Sequence, residues 1–165
     1  MGLEIERKFL IDLPDEQELI RRGAIIRSIT QTYLLPNEDF PVRRVRASSV
    51  DGVATYTYTA KRPADGKFSR EEIECEISHN QYLELQKERD LRLNQISKTR
   101  YVIKDKNVLE VDVFSFSKKR ALLEIELASE DSMYFIPSYL KVIKEVTTDY
   151  RYTNVNLAKG IPEDF

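Results

Sequence analysis

The chain is poor in the residues that build covalent cross-links and soft-metal sites. Its 165 residues include one cysteine, Cys75, and one histidine, His79. A single cysteine excludes an intramolecular disulfide and a cysteine-cluster metal site, and one histidine does not complete a structural zinc site. Cys75 reads as a buried spectator on an apolar-facing position, and His79 as a surface or helix-cap residue. No apolar run approaches the roughly 20 residues of a membrane span. The opening M-G-L-E-I-E has no signal-peptide pattern, no basic leader and no small hydroxyl residue at the myristoylation offset after Gly2. The expected location is the cytoplasm, with no membrane partner. No G-x-x-x-x-G-K-[ST] loop and no nucleophile elbow occur, which excludes a P-loop enzyme and an α/β-hydrolase-type serine enzyme. An excess of one charge sign is missing too: Lys plus Arg number 26 and Asp plus Glu 28, a net charge of -2. A nucleic-acid partner is therefore not expected. Any polyanion must be held by a locally concentrated field or through metal ions.

What is there suits one ordinary domain over residues 1–165, with 41% hydrophobic and 33% charged residues and no repeat, low-complexity tract or linker. Short segments rich in Thr, Val and Tyr follow one another at close spacing, which predicts antiparallel β structure with a few helices. Strands are expected over Leu3–Ile11, Arg27–Leu35, Val42–Ser48, Ala54–Lys61, Phe68–Ile77, Ser97–Ile103, Val108–Phe114 and Ala121–Leu127. Asp51-Gly52 is the strongest hairpin signal. Pro63 to Lys67 forms the next connection. Helical spacing appears over Asp15–Arg22 and His79–Arg92, and shorter helical pieces are expected over Ser129–Ile136 and Ser138–Ile143. Glu145–Asn154 reads as a strand or an extended tail carrying Arg151.

One pattern recurs in strand after strand. Charged residues stand at i and i+2 and so share a face, while the alternate positions are apolar. Glu4, Glu6 and Lys8 belong to it, as do Arg44 and Arg46, Lys61, Arg70 with Glu72 and Glu74, Lys98 with Arg100, Glu110 with Asp112, and Glu124 with Glu126. For any one strand, a charged face in water explains the pattern. For the whole set that reading weakens, because the helical segments are too few and short to cover the apolar side of so many strands. A sheet closed on itself resolves this, with the apolar set outward under helices and loops and the charged set turned into a wet lumen. Burying unpaired charges costs on the order of several kcal/mol per ion, so the lumen must contain compensating charge. Clustered carboxylates suit hard divalent ions such as Mg²⁺ or Mn²⁺. Clustered Arg and Lys suit phosphate oxygens. Both together suit a metal-bound polyphosphate.

These residues also resemble a known family. E-I-E-R-K at Glu4–Lys8 matches the E-x-E-x-K signature of the CYTH superfamily, the triphosphate tunnel metalloenzymes. It is followed in order by Q-T-Y-L at Gln31–Leu34, R-x-R at Arg44–Arg46, Lys61, S-R-E-E-I-E at Ser69–Glu74, K-T-R-Y at Lys98–Tyr101, L-E-V-D-V-F at Leu109–Phe114, L-E-I-E-L at Leu123–Leu127 and E-V-T-x-D-x-R-Y at Glu145–Tyr152. The chain is most similar to the short bacterial branch, whose members include inorganic triphosphatases. The resemblance implies an α+β, mainly β fold: a closed eight-stranded antiparallel tunnel barrel with a few flanking helices. It also implies metal-dependent hydrolysis of inorganic triphosphate to diphosphate and phosphate. The alternatives are an adenylate cyclase of the CYTH type, a thiamine or nucleoside triphosphatase, and a non-enzymatic polyphosphate-binding module. Carried over by position, Glu4, Glu6, Glu72, Glu74, Glu110, Asp112, Glu124 and Glu126 are expected to serve the metal, Mg²⁺ or Mn²⁺. Lys8, Arg44, Arg46, Lys61, Arg70, Lys98, Arg100 and Arg151 are expected to bind substrate, and Lys8 with Tyr33 to be catalytic. The partner is a small-molecule triphosphate, and the chain a monomer or homodimer. Four departures stand out: Thr32 replaces the usual glycine of Q-G-Y-L, Tyr150 replaces a common lysine, the Arg43–Arg44 doublet leaves two strand registers open, and Lys61-Arg62-Pro63 replaces the more usual K-G turn.

Overall fold

The computed structural model describes residues 2–66 and 69–165. Among these residues, nine strands form one antiparallel sheet: β1 (Gly2–Asp12), β2 (Ile25–Leu34), β3 (Val42–Val50), β4 (Val53–Pro63), β5 (Ser69–Ile77), β6 (Ile96–Lys104), β7 (Val108–Phe114), β8 (Arg120–Glu126) and β9 (Val142–Glu145). Their order is β5-β4-β3-β2-β6-β7-β8-β1-β9, and β1 pairs β5 as well. The first eight strands therefore close into a barrel, with β9 added outside the ring. This is the mainly β, closed antiparallel architecture that the charge alternation predicts. Among the described residues three short helices flank it: α1 (Glu16–Arg21), α2 (His79–Leu85) and α3 (Asn154–Leu157).

The first strand makes the closure. One of its edges pairs β8 from Glu6 to Asp12. The other is shared: Gly2 to Ile5 pair with β5, and Phe9 to Ile11 pair with β9. The hairpin between β3 and β4 turns at Asp51 (φ 50°) and Gly52 (φ 79°). Two consecutive positive φ values are what a type I′ turn demands, and Asp-Gly adopts them at little cost.

Outward positions of β1, β6, β7 and β8 build one core. Ile5, Phe9, Ile11, Tyr101, Ile103, Val111, Leu123 and Ile125 pack with Leu19 of α1 and Leu140. Each fully buried aliphatic side chain there contributes about 1.5–3 kcal/mol. A second core sits inside the barrel at one end. Leu10, Tyr33, Ile96, Phe114 and Leu122 occupy inward registers and meet Val146, Tyr152, Leu157 and Ala158 from the C-terminal segment. That end of the lumen is filled with apolar side chains.

Several expected helices are shorter or absent. Helix α2 begins at a capping box between Ser78 and Gln81 and ends at Leu85, followed by a 3₁₀ turn over Gln86–Glu88. Residues 89 and 90 are not helical, because the end of β2 takes their backbone: Leu35 donates to the Glu88 carbonyl and Asp90 N–H to that of Tyr33. Ser129–Ile136 contains no helix. Tyr134 and Ile136 stand two apart and both pack on the outer core, a spacing that extended chain satisfies. Ser138–Ile143 is a turn that leads into β9, which takes the edge of β1 beyond the reach of β5. Glu145–Asn154 is strand only at its first residue; a 3₁₀ turn over Tyr150–Tyr152 follows, and α3 starts at Asn154. Cys75 is exposed rather than buried, since the outer face of β5 is uncovered there, with neighbouring Ile73 37% exposed. Lys67 and Phe68, at the expected end of one connection and start of the fifth strand, lie outside the described residues.

Candidate active site

The barrel encloses a cavity of about 910 Å³. Strand alternation turns one side chain in every two toward it, and the charged set lies on that side. Glu4, Glu6 and Lys8 of β1, Arg44 and Arg46 of β3, Lys61 of β4, Arg70, Glu72 and Glu74 of β5, Arg100 of β6, Glu110 of β7, and Glu124 and Glu126 of β8 all line it. The doublet register is resolved by pairing. Arg44 and Arg46 face inward opposite Thr59 and Thr57. Arg43 faces out, with Nη1 donating to Glu88 (3.2 Å) and to the Leu35 carbonyl (2.9 Å).

The two signs of charge are sorted. On the acidic side, Glu4 accepts from Lys61 Nζ at 2.6 Å, and Glu72 lies 3.7 Å from the same ammonium. Burial and the neighbouring Glu124 and Glu4 push the Glu6 carboxyl up to about 8. Burial and a shared hydrogen bond with Glu4 push Glu72 to about 7. Glu4 itself is held low against the effect of burial by Lys61. Glu124 is also held low in spite of burial, by Lys8 and Arg100. Its Oε1 lies 3.3 Å from Lys8 Nζ, in an ion pair whose geometry leaves that buried oxygen without a hydrogen bond.

On the basic side, Arg46 donates to Gln31 Oε1 at 2.6 and 3.1 Å, a neutral acceptor. Burial first, then the like charges of Arg44 and Arg100, lower its pKa to about 9. Arg44 is 8% exposed, and its Nε is buried without a partner. Guanidinium groups crowded in this way with donors to spare call for an anion that the protein does not supply.

Other expected site residues are placed differently. Lys98 and Asp112 do not reach the cavity; both side chains are 0% exposed and lie behind its wall, Lys98 Nζ 2.5 Å from Asp112 Oδ2. Burial and the nearby Arg100 bring the Lys98 ammonium down to about 7, against the pull of Asp112. Arg151 lies outside the lining and pairs with Asp149 at 2.6 Å, its side chain 54% exposed. Lys8 and Tyr33 are both buried, but their polar ends turn to different partners. Lys8 Nζ approaches Glu124 and, at 3.4 Å, the Tyr152 carbonyl. The Tyr33 hydroxyl accepts from Gln31 Nε2 at 3.2 Å. Thr32 occupies an ordinary strand position facing away, its hydroxyl accepting from Gln95 at 3.0 Å.

Some lining residues were not singled out by sequence reasoning. Arg27 faces the cavity from β2, two registers before Gln31, and alternation counted back from Tyr33 would have found it. Thr55, Thr57 and Thr59 form a hydroxyl ladder on β4. Thr147, Thr148, Thr153, Asn154 and Asn156 come from the C-terminal segment, whose path no local signal predicts.

The donor chemistry fits a hard divalent cation. All candidate ligands are carboxylate oxygens, and burial, with neighbouring carboxylates second, raises Glu6 to about 8 and Glu72 to about 7. As arranged, no three such groups among the described residues converge into a coordination shell. Glu4 is turned onto Lys61, and Glu110 and Glu124 onto Arg100.

A closed barrel with a basic and an acidic wall facing across its cavity has the charge arrangement that suits a polyanion. The comparisons with known proteins agree in kind. No protein-family model matches the chain. An inorganic triphosphatase of Nitrosomonas europaea is 36% identical over 163 residues, spanning 96% of this chain and 99% of that protein. One of Acetivibrio thermocellus is 32% identical over 170 residues, 100% of this chain and 99% of its own length. The crystal structure of the inorganic triphosphatase NE1496 superposes with a TM-score of 0.55 at 29% identity, covering 98% of both chains. The chain belongs to the inorganic triphosphatases of the CYTH superfamily.

Proposed function

We propose that the protein hydrolyses inorganic triphosphate to diphosphate and phosphate, with Mg²⁺ or Mn²⁺ bound among the carboxylates. The observation that carries this is the pair of facing walls, each with buried groups that its own pairs leave unsatisfied. Arg44 keeps an unpartnered buried donor, and burial together with the like charges of Arg44 and Arg100 lowers the Arg46 pKa. Burial, reinforced by neighbouring carboxylates, raises Glu6 and Glu72. A metal–polyphosphate complex supplies the missing charge to both.

Arg44, Arg46, Arg100 and Lys61 line the lumen where donors can bind phosphoryl oxygens in several places, fixing the chain of phosphates for in-line attack by water. Glu4, Glu6, Glu124 and Glu126, with Glu72, Glu74 and Glu110 nearby, would hold the cation. When bound, the cation neutralises charge on the phosphoryl oxygens and makes water a stronger acid. Glu124 and Glu6 keep the Lys8 ammonium protonated against the effect of burial. Lys8 therefore acts as a fixed charge and donor that stabilises the leaving phosphate oxygens, with the Tyr33 hydroxyl as its companion at the closed end. The products take up one water between them, and the proton released at neutral pH passes to solvent through the wet mouth.

The test is metal-dependent phosphate release against triphosphate, ATP and thiamine triphosphate, with cyclic AMP measured in parallel. Rapid turnover of triphosphate alone is expected. Preferential turnover of an organic triphosphate, cyclic AMP formation, or tight triphosphate binding without turnover would each overturn the proposal in favour of the corresponding alternative.

A further inference from the structure

We infer that Asp112 is a positioning residue that fixes the Arg100 guanidinium for substrate, with Lys98 buried behind it as charge balance, and that it does not bind the metal. This rests on the triphosphate reading of the cavity and assigns a part within it.

Arg100 and Asp112 are direct cross-strand partners on β6 and β7, so the backbone register alone sets them side by side. Arg100 Nε donates to Asp112 Oδ1 at 2.7 Å, and Nη2 donates to Oδ2 at 2.8 Å. This is the two-pronged fork that orients a guanidinium as well as binding it. The Oδ2 atom also accepts from Lys98 Nζ at 2.5 Å. Asp112 and Lys98 side chains are each 0% exposed, while Arg100 reaches the lumen. The third nitrogen of the fork, Nη1, turns to Glu110, and Nη2 also lies 3.4 Å from Glu124.

The charge count argues against a cation at Asp112. Its one negative charge already lies between two buried positive groups. A divalent ion there would have to break the Arg100 fork or displace Lys98 from its ion pair in a fully buried setting, an unfavourable exchange. Glu4, Glu6 and Glu126 carry no such double commitment and line the cavity. Glu124 also lies between two cations, Lys8 and Arg100, but at the longer distances of 3.3 and 3.4 Å, and unlike Asp112 it lines the cavity. Lys98 follows the same logic: it lies one inward register nearer the apolar end, over the Phe114 ring at 5.5 Å, with its side chain 0% exposed and outside the cavity lining.

The experiment uses Asp112→Asn in the full-length protein, with Lys98→Met/Asp112→Asn as a second variant that leaves no buried ammonium unpaired if the first folds poorly. Three quantities are read: KM for triphosphate at saturating Mg²⁺, Mn²⁺ affinity of the substrate-free protein by electron paramagnetic resonance, and triphosphate affinity by calorimetry. Loss of a charge-assisted fork should weaken triphosphate binding and raise KM about 10- to 100-fold. Mn²⁺ affinity should be unchanged. In an Arg100→Met background, Asp112→Asn should add nothing to the loss, since it acts through that guanidinium. A fall in Mn²⁺ affinity with KM unchanged, or full additivity with Arg100→Met, would overturn the inference. Failure of the unsubstituted protein to turn over triphosphate would count against the functional reading alone, because calorimetry still reports on Asp112.

Discussion

The two ends of the barrel interior are built from the same strands in the same register, yet their chemistry is opposite. Along β1 the inward face reads Glu4, Glu6, Lys8 and then Leu10; the first three line the cavity and the fourth is fully buried in apolar packing. The same change occurs on β8 between Glu124 and Leu122, and on β7 from cavity-lining Glu110 through the buried Asp112 to Phe114. Half of the lumen stays wet because its charges must be solvated or paired. The other half is closed by Tyr152, Val146 and Leu157, which arrive from the C-terminal segment. A barrel interior is thus a site only where its lining resists collapse, and a core where it does not.

That contrast can be broken from either side. The largest effect on activity is expected at Arg44, whose buried Nε has no protein partner. Arg44→Ala should lower kcat/KM by about 10²–10³, measured by phosphate release at saturating Mg²⁺. In the closed half, Leu157→Ala should cost about 2–5 kcal/mol of unfolding free energy by urea titration and leave KM unchanged. A matching loss of triphosphate affinity would mean that the apolar end also shapes the site.

The pH dependence of stability reports on the acidic wall. Glu6 has a folded value near 8 against 4.5 for the free carboxyl. Its contribution is fully present below 4.5 and is lost as pH rises through 8, since the buried proton must leave. Glu72 acts in the same direction near 7. Lys98, lowered to about 7, contributes the opposite slope above that pH, so the metal-free protein should melt at progressively lower temperature from about pH 5 to about pH 7. Glu6→Gln should flatten that slope, and added Mg²⁺ should restore the alkaline side. A metal-free melting temperature that rises over this range would refute the assignment.

A smaller effect is expected where the two halves meet. Thr147 Oγ1 accepts from the Lys8 N–H at 3.0 Å, and the Val146 N–H donates to the Lys8 carbonyl at 2.8 Å. Thr147→Val should lower kcat about fivefold by loosening Lys8, the equivalent of about 1 kcal/mol for one hydrogen bond. The smallest effect belongs to Arg151, whose exposed pair with Asp149 lies off the cavity. Arg151→Ala should change neither KM nor melting temperature measurably.

Much of the fold was legible because alternation with period two is a local property. The inward set from Glu4 to Glu126 could be listed from spacing, and the number of charged faces pointed to closure. The limits were equally physical. Spacing treats Asp112 and Glu110 alike, and Lys98 and Arg100 alike, but strand stagger buries the first of each pair behind the second. Arg43 and Arg44 were interchangeable in sequence until pairing with β4 turned only Arg44 inward. The helical patterns after residue 85 gave way where an open strand edge competed for the backbone.

By itself, the sequence determined the class of the fold and the kind of chemistry, because which residue types share a strand face depends only on chain geometry. It also excluded disulfide, zinc and P-loop chemistry by composition. The tertiary structure decided which charges meet substrate and which serve one another, where the lumen ends, and that Lys8 is held by a segment 139 residues away. Those outcomes depend on register, stagger and the path of the C-terminal chain. All three are set by long-range packing that no local pattern encodes.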